Sequence, residues 1–318
     1  MNRLLAGIVG GALALGVSGC ELFGGGGTGG STIDFTSGYV FIRDNAVFAV
    51  DSSDVNNAVQ LSEGTELCTE PSISPDGTQV VFVQREATGW ALRATAVRGG
   101  TAVRTLQSGA SRYRTPVFSP DGLQVYFSFD ATSSSSHLGR VDSAGTGGFE
   151  DLTPSIGATD QFRSPTFYPN GIELLIATGA GGTLRELQRF NTSTLTWTSV
   201  ATSLGTGVDR LENRVVISPT GDRAAFDARP ATPPGAAPRI YVKDITTDTG
   251  PATLLTEHTG DDTAMDSYPT WAGITAIGFS TNAGGNDNIN EVPASPAGPA
   301  PGTLAVPGAK EGWFGSVP

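Results

Sequence analysis

The chain has 318 residues, a net charge of −12, a pI near 4.5, 43 Gly, 20 Pro and 38% apolar residues. So acidic a surface excludes phosphate-backbone binding, which needs clustered positive charge, and nucleic acid is not an expected partner. The apolar content suits one large core with heavy turn use, and no apolar run at i, i+3, i+4 and i+7 follows residue 20, so the expected class is all-β.

Arg3 precedes an uncharged apolar run from Leu4 to Val17, which ends in Val17-Ser18-Gly19-Cys20. A short positive region and an apolar stretch too brief to span a bilayer as a mature anchor read as an export signal over residues 1–20. The Val-Ser-Gly-Cys end resembles the lipobox of bacterial lipoproteins, which implies acylation of Cys20 and a membrane anchor; an ordinary cleaved signal is the alternative. Residues 21–32, mostly glycine, read as a flexible tether with a reach of roughly 20 Å. Gly24, Gly26 and Gly29 match a dinucleotide-loop spacing, but no strand precedes them and no helix follows, so no cofactor is expected.

From residue 33 the chain reads as strands. Gly38-Tyr39-Val40-Phe41-Ile42, Ala46-Val47-Phe48-Ala49-Val50 and Ala58-Val59-Gln60-Leu61 look like the second, third and fourth strands of a unit that lacks its first. Cys68 has no disulfide partner if Cys20 is acylated, and without a neighbouring base or cation it reads as a small buried side chain.

Next comes Pro71-Ser72-Ile73-Ser74-Pro75-Asp76-Gly77, followed by the apolar Val80-Val81-Phe82-Val83. Pro at the second turn position and Gly at the fourth suit a type I turn between two strands. The pattern returns as Phe118-Ser119-Pro120-Asp121-Gly122, Phe167-Tyr168-Pro169-Asn170-Gly171, Ile217-Ser218-Pro219-Thr220-Gly221 and, degenerately, Pro269-Thr270-Trp271-Ala272-Gly273. The copies start at Pro71, Pro116, Pro165, Val215 and Pro269, spacings of 45, 49, 50 and 54. A period in the forties with several strands per unit is a propeller blade, whose two apolar faces only its neighbours can cover. In the second copy the four strands are expected at 116–119, 125–129, 137–142 and 149–153, and in the fourth at 215–218, 224–227, 239–244 and 252–256. Insertions rich in Pro, Ala and Gly at 229–239 and 292–308 read as surface loops. The closing Gly312-Trp313-Phe314-Gly315 supplies the strand missing from the N-terminal unit. The expectation is a six-bladed β-propeller of four-stranded blades over residues 33–318, closed where the C-terminal strand joins the N-terminal blade, and monomeric.

The Pro-x-aromatic-Ser-Pro-Asp-Gly repeat is similar to the WD-like repeat of TolB-type propellers over nearly all of the chain beyond the tether. Its best copies are 71–77 and 116–122, and TolB's additional N-terminal domain has no counterpart here, the tether standing in its place. The resemblance implies a fold and a habit of binding proteins or ligands on one face. The expected function is that of an envelope-anchored lipoprotein, outer-membrane and periplasmic or surface-facing, acting as a non-enzymatic binding or scaffolding propeller. The alternative is an enzyme, a lyase or hydrolase on an anionic carbohydrate, working at the channel mouth.

Motifs for chemistry are sparse. His137 and His258 are the two histidines, far apart, and neither Gly-x-Ser-x-Gly nor a phosphate-binding loop occurs. The stretches 261–266 (Asp261, Asp262, Asp266) and 282–290 (with Asp287) offer oxygens for calcium without the EF-hand spacing and read first as solvated loops, so no metal is expected. One polar pattern recurs. The five residues entering each repeat contain Arg112, Arg114, Arg163, Arg210 and Arg214, and the same windows contain Glu66, Glu70, Asp160, Glu212 and Asp266. Local ion pairs that fix these loops are the first reading, notably Arg163 with Asp160. A ring of arginines holding an anionic ligand at the channel mouth is the second, with Arg112 and Arg114, whose window lacks an acid, as its leading members.

Overall fold

The computed structural model describes residues 33–317 apart from 64–65, 99–101, 133, 154–160, 181–182, 249 and 296–297. The expected leader, Cys20 and the tether lie outside the described residues, as does Asp160.

The strands follow in chain order as β1 (Ser37–Arg43), β2 (Ala46–Asp51), β3 (Val59–Gln60), β4 (Cys68–Ile73), β5 (Gln79–Glu86), β6 (Gly89–Ala96), β7 (Arg104–Gly109) and β8 (Tyr113–Phe118). Then come β9 (Gln124–Asp130), β10 (Ser136–Asp142), β11 (Glu150–Asp151), β12 (Gln161–Phe167), β13 (Glu173–Ala180), β14 (Thr183–Asn191), β15 (Thr196–Ala201) and β16 (Val208–Ile217). The last are β17 (Arg223–Pro230), β18 (Arg239–Asp244), β19 (Thr253–Leu254), β20 (Asp266–Ala272), β21 (Ala276–Thr281), β22 (Asn288–Pro293), β23 (Thr303–Pro307) and β24 (Lys310–Ser316).

Local chemistry makes the hairpins that punctuate this order. At the first turn Gly77 sits at φ 68°, a conformation only glycine takes without strain, and its N–H donates to the Ser74 carbonyl at 2.9 Å. Asp76 accepts from Ser74 Oγ and from the Thr78 N–H, so its carboxyl is held below the usual range against the opposing effect of partial burial. Ser119 and Asp121 repeat the device. In the fourth copy Thr220 stands where the aspartate was, and Asp222 accepts from Ser218 Oγ at 2.8 Å instead.

The expectation of a six-bladed propeller of four-stranded blades is corrected by the pairing. Among the described residues the strands form five sheets, four of four strands and one of eight. The large sheet arises because β14 and β16 run long and meet at Leu184 opposite Leu211, joining β12–β15 to β16–β19. Both leucines are buried in one core cluster, so the junction is apolar as well as hydrogen-bonded. The strand expected from 215 begins at Val208, and the lengthened segment makes this contact.

Neighbouring sheets meet along their first strands: β4 against β8, β8 against β12, β12 against β16, β16 against β20, β20 against β24, and β24 against β4. These strands therefore surround an axis, with apolar clusters sandwiched between the sheets; the architecture is an all-β propeller. The C-terminal β24 pairs antiparallel with β1, with Gly38 opposite Gly315 and Val40 opposite Trp313. Trp313 packs against three of the core clusters at once, which makes β24 a structural member of the ring.

Candidate ligand site at the channel mouth

The strands around the axis share one irregularity. Glu70, Thr115, Ser164, Tyr268 and Glu311 have φ of 53°, 45°, 54°, 53° and 55°, left-handed backbone that non-glycine residues seldom adopt. In β4, β8, β12 and β20 the residue lies inside a register shift and a proline follows it: Pro71, Pro116, Pro165 and Pro269. Proline has no N–H for the ladder and is tolerated in a sheet at an edge or a bulge, and these first strands offer both. In β16 the shift falls between Leu211 and Val215; Val215 stands where the other strands have proline, and Arg214 stands where they have the left-handed residue.

A bulge frees a backbone N–H and turns a side chain toward the axis. Glu311 Oε2 accepts the Glu70 N–H at 2.6 Å, Glu70 Oε2 accepts the Thr115 N–H, and Ser164 Oγ accepts the Val215 N–H at 2.7 Å. Thus one sheet's bulge side chain satisfies the next strand's backbone, stitching the inner strands together.

Arg214 sits among these groups with 2% of its surface exposed. Its guanidinium lies 5.1 Å from the Tyr268 ring centre and 5.0 Å from that of Trp313, and donates to the Gly312 carbonyl at 2.6 Å. Burial pulls the arginine below its usual range, opposed by the charges of Glu70 and Glu311. Burial, then repulsion from Glu70, pushes Glu311 up to about 7. Asp227, buried under β16, is raised by burial to about 6 although it accepts the N–H groups of Asn213 and Arg214. The void beside them, lined by Glu70, Arg114, Thr115, Arg163, Glu212 and Asn213, holds about 20 Å³. That is room for a water molecule and no substrate.

Arg114 and Arg163 also line a second cavity of about 440 Å³, together with Trp90, Arg112, Asp130 and Gln161 among others. Arg114 holds Asp130 in a two-pronged contact, 3.2 Å from Nε and 2.9 Å from the terminal nitrogen. Arg163 lies 3.8 Å from the same carboxylate, and Arg112 lies 3.8 Å from Glu70 with its guanidinium 5.1 Å from the Trp90 ring centre. The Nε of Arg112 and the Nε of Arg163 are buried without a hydrogen-bond partner among the described residues. Desolvation and then the charge of Arg114 hold Arg163 below its usual range, as expected where cations are crowded together. With three guanidiniums against the Asp130 carboxylate in its lining, the cavity is a local positive site on an acidic protein.

Of the five arginines proposed from sequence, the fold brings Arg112, Arg114 and Arg163 together. Arg214 is enclosed at the axis, and Arg210 stands apart, paired with Glu212 at 3.0 Å and Asp209 at 3.4 Å. Loop positions were expected for all five arginines, but Arg114, Arg163, Arg210 and Arg214 lie in β8, β12 and β16, which begin before the point expected, and only Arg112 precedes its strand. The acid-free window around Arg112 and Arg114 does not leave them without acids. Glu70 reaches Arg112 from the neighbouring sheet, and Asp130 reaches Arg114 across the β8–β9 hairpin. Trp90, Asp130 and Gln161 were missed; the hairpin register, once known, brings Asp130 to the arginines.

The other candidates take structural places. Cys68 is fully buried, its thiol pushed up to about 11 by burial. His137 contacts Asp151 at 2.8 Å, and buried His258 contacts Asp266 at 2.8 Å. Asp261 accepts from Thr263 Oγ1 at 2.8 Å, and among the described residues no group of three or more His, Cys, Asp or Glu is placed to hold a metal.

Sheets ranged about an axis by their first strands define the class of protein, a β-propeller. Within that class the fold is that of TolB. TolB from Acinetobacter baumannii superposes with a TM-score of 0.63 at 17% identity, over 89% of this chain and 67% of that one. A putative TolB from Agrobacterium tumefaciens gives 0.58 at 13%, over 90% and 99%. An oligogalacturonate lyase in complex with manganese gives 0.54 at 12%, over 81% and 74%. No family model matches the sequence, and no curated protein matches it.

Proposed function

We propose that the chain is a non-enzymatic binding propeller, held at a bacterial cell envelope by a lipid on Cys20, that recognises an anionic ligand or an acidic protein segment at the Arg112–Arg114–Arg163 cavity. The observation that carries this reading is the unspent hydrogen-bonding capacity of Arg112 and Arg163 within a cavity of about 440 Å³. Guanidinium forks match carboxylate geometry and bind it through paired hydrogen bonds. The envelope location rests on the lipobox-like Val17-Ser18-Gly19-Cys20 and on the likeness to TolB.

The enzymatic alternative draws on the fold likeness to oligogalacturonate lyase. Two features weigh against it. Glu311 and Asp227, the acids with raised proton affinity, hold backbone N–H groups, and neither lines the cavity of about 440 Å³. The donors present also do not suit manganese, because the described His, Cys, Asp and Glu residues do not gather in threes.

Calorimetric titration with small carboxylates tests the binding reading. We expect salt-sensitive binding by the wild type, and loss of binding with an unchanged melting temperature in the Arg112→Ala, Arg163→Ala double variant. Full binding by that variant would contradict the assignment. For the anchor, Cys20→Ala should release the protein from the membrane fraction and abolish fatty-acid labelling.

A further inference from the structure

We propose that the ligand of this cavity is a hydroxylated carboxylate with the chemistry of a sugar acid, and that Asp130 reads its hydroxyl groups. The proposal rests on the anion-binding reading above and narrows it. A volume of about 440 Å³ lies within the range of small-molecule pockets, about 300–1,000 Å³. The lining is chiefly polar. Beyond the charged groups it contributes Ser111, Thr132, Ser135 and Gln161, against Trp90 and Ala110 as apolar side chains, and the Trp90 ring is covered on one side by Arg112. An aliphatic or aromatic acid would find little to pack against.

Asp130 decides between the remaining classes. An ionised carboxylate only accepts hydrogen bonds, so a ligand entering beside it must present donors there while presenting an acceptor to Arg112 and Arg163. A bare carboxylate or a dianion offers no donor and meets Asp130 as a like charge. An ammonium would donate to Asp130, but it would then lie beside Arg114, which holds Asp130 at 2.9 Å, and near Arg163 at 3.8 Å from the same group. Neutral hydroxyls donate without that repulsion. The carboxylate of the ligand goes to Arg112 and Arg163, its hydroxyls to Asp130 and to the amide of Gln161, whose Nε2 already donates to the Ser134 carbonyl at 3.1 Å and leaves the amide oxygen to accept.

Titration of the full protein with D-glucuronate, cyclohexanecarboxylate and D-glucose separates this proposal from the one beneath it. We expect glucuronate to bind about tenfold or more tightly than cyclohexanecarboxylate, the difference made by one or two hydrogen bonds to a charged group, and glucose not to bind measurably. Asp130→Ala should bring the two acids to similar affinity, largely by weakening glucuronate. Asp130→Asn, which keeps the shape and one acceptor, should retain part of the preference and controls for misfolding. Equal affinity for the two acids in the wild type overturns the sugar-acid proposal and leaves the anion cavity standing. Binding of neither acid overturns both.

Discussion

Arg214 and Glu311 show how a single residue can be tied to the ring as a whole. Glu311 binds its proton more tightly in the folded state than in the unfolded chain, so its contribution to stability is present at low pH and is lost as pH rises from 4.5 to about 7. The loss is on the order of 3 kcal/mol for such a shift. Glu311→Gln keeps an acceptor for the Glu70 N–H and removes the charge. We therefore expect the variant to be more stable than wild type at pH 8 and the gap to close toward pH 4.5; parallel stability curves would contradict the assigned burial of the charge. Arg214→Leu should act in the opposite direction, costing about 3–5 kcal/mol by stranding the acids around it. Arg112→Ala, at a half-exposed ion contact, should change stability by about 1 kcal/mol or less and be felt in binding. Equal melting temperatures for the Arg214→Leu protein and the wild type would remove Arg214 from its structural place. Of these roles the sequence discloses only that an arginine stands directly before the repeat's first residue, because Glu70 and Glu311 reach it from other sheets.

Among the elements, β24 has the largest consequence for the fold. It covers β1, presents Phe314 edge-on to Tyr39 at 5.2 Å between ring centres, and seats Trp313 among three clusters. Truncation before Lys310 uncovers β1 and removes both aromatics, each worth about 3–5 kcal/mol when well buried. We expect the melting temperature to fall by roughly 10 °C or more, whereas an unchanged transition would show that the ring does not need the strand. The partnership was legible in advance because the N-terminal unit read as strands without a first member and the last residues read as a strand without a unit. The Ser-Pro-Asp-Gly hairpins were legible for a local reason: turn, serine and aspartate lie within a few residues of each other. The bridge from Leu184 to Leu211 was not, since a long strand and a strand preceded by a loop have the same composition until a partner is fixed. The left-handed bulges at Glu70, Thr115, Ser164 and Tyr268 were marked only by the prolines that follow them.

For the molecule as a whole, a net charge of −12 contrasts with a cavity where three arginines gather. Long-range repulsion by a net charge of −12 disfavours the approach of anions, so a carboxylate ligand must be repaid by short-range hydrogen bonds inside the cavity. In the proposed binding mode Arg112 and Arg163 would supply them, because the ring places strands from neighbouring sheets side by side, an arrangement that spacing alone hinted at without saying which of the five arginines would meet. A crystal structure of the protein grown with saturating D-glucuronate tests the assignment most directly. We expect the ligand's carboxylate within hydrogen-bonding distance of Arg112 and Arg163 and its hydroxyls facing Asp130; a ligand bound elsewhere, with the arginine cavity filled by solvent, would contradict it.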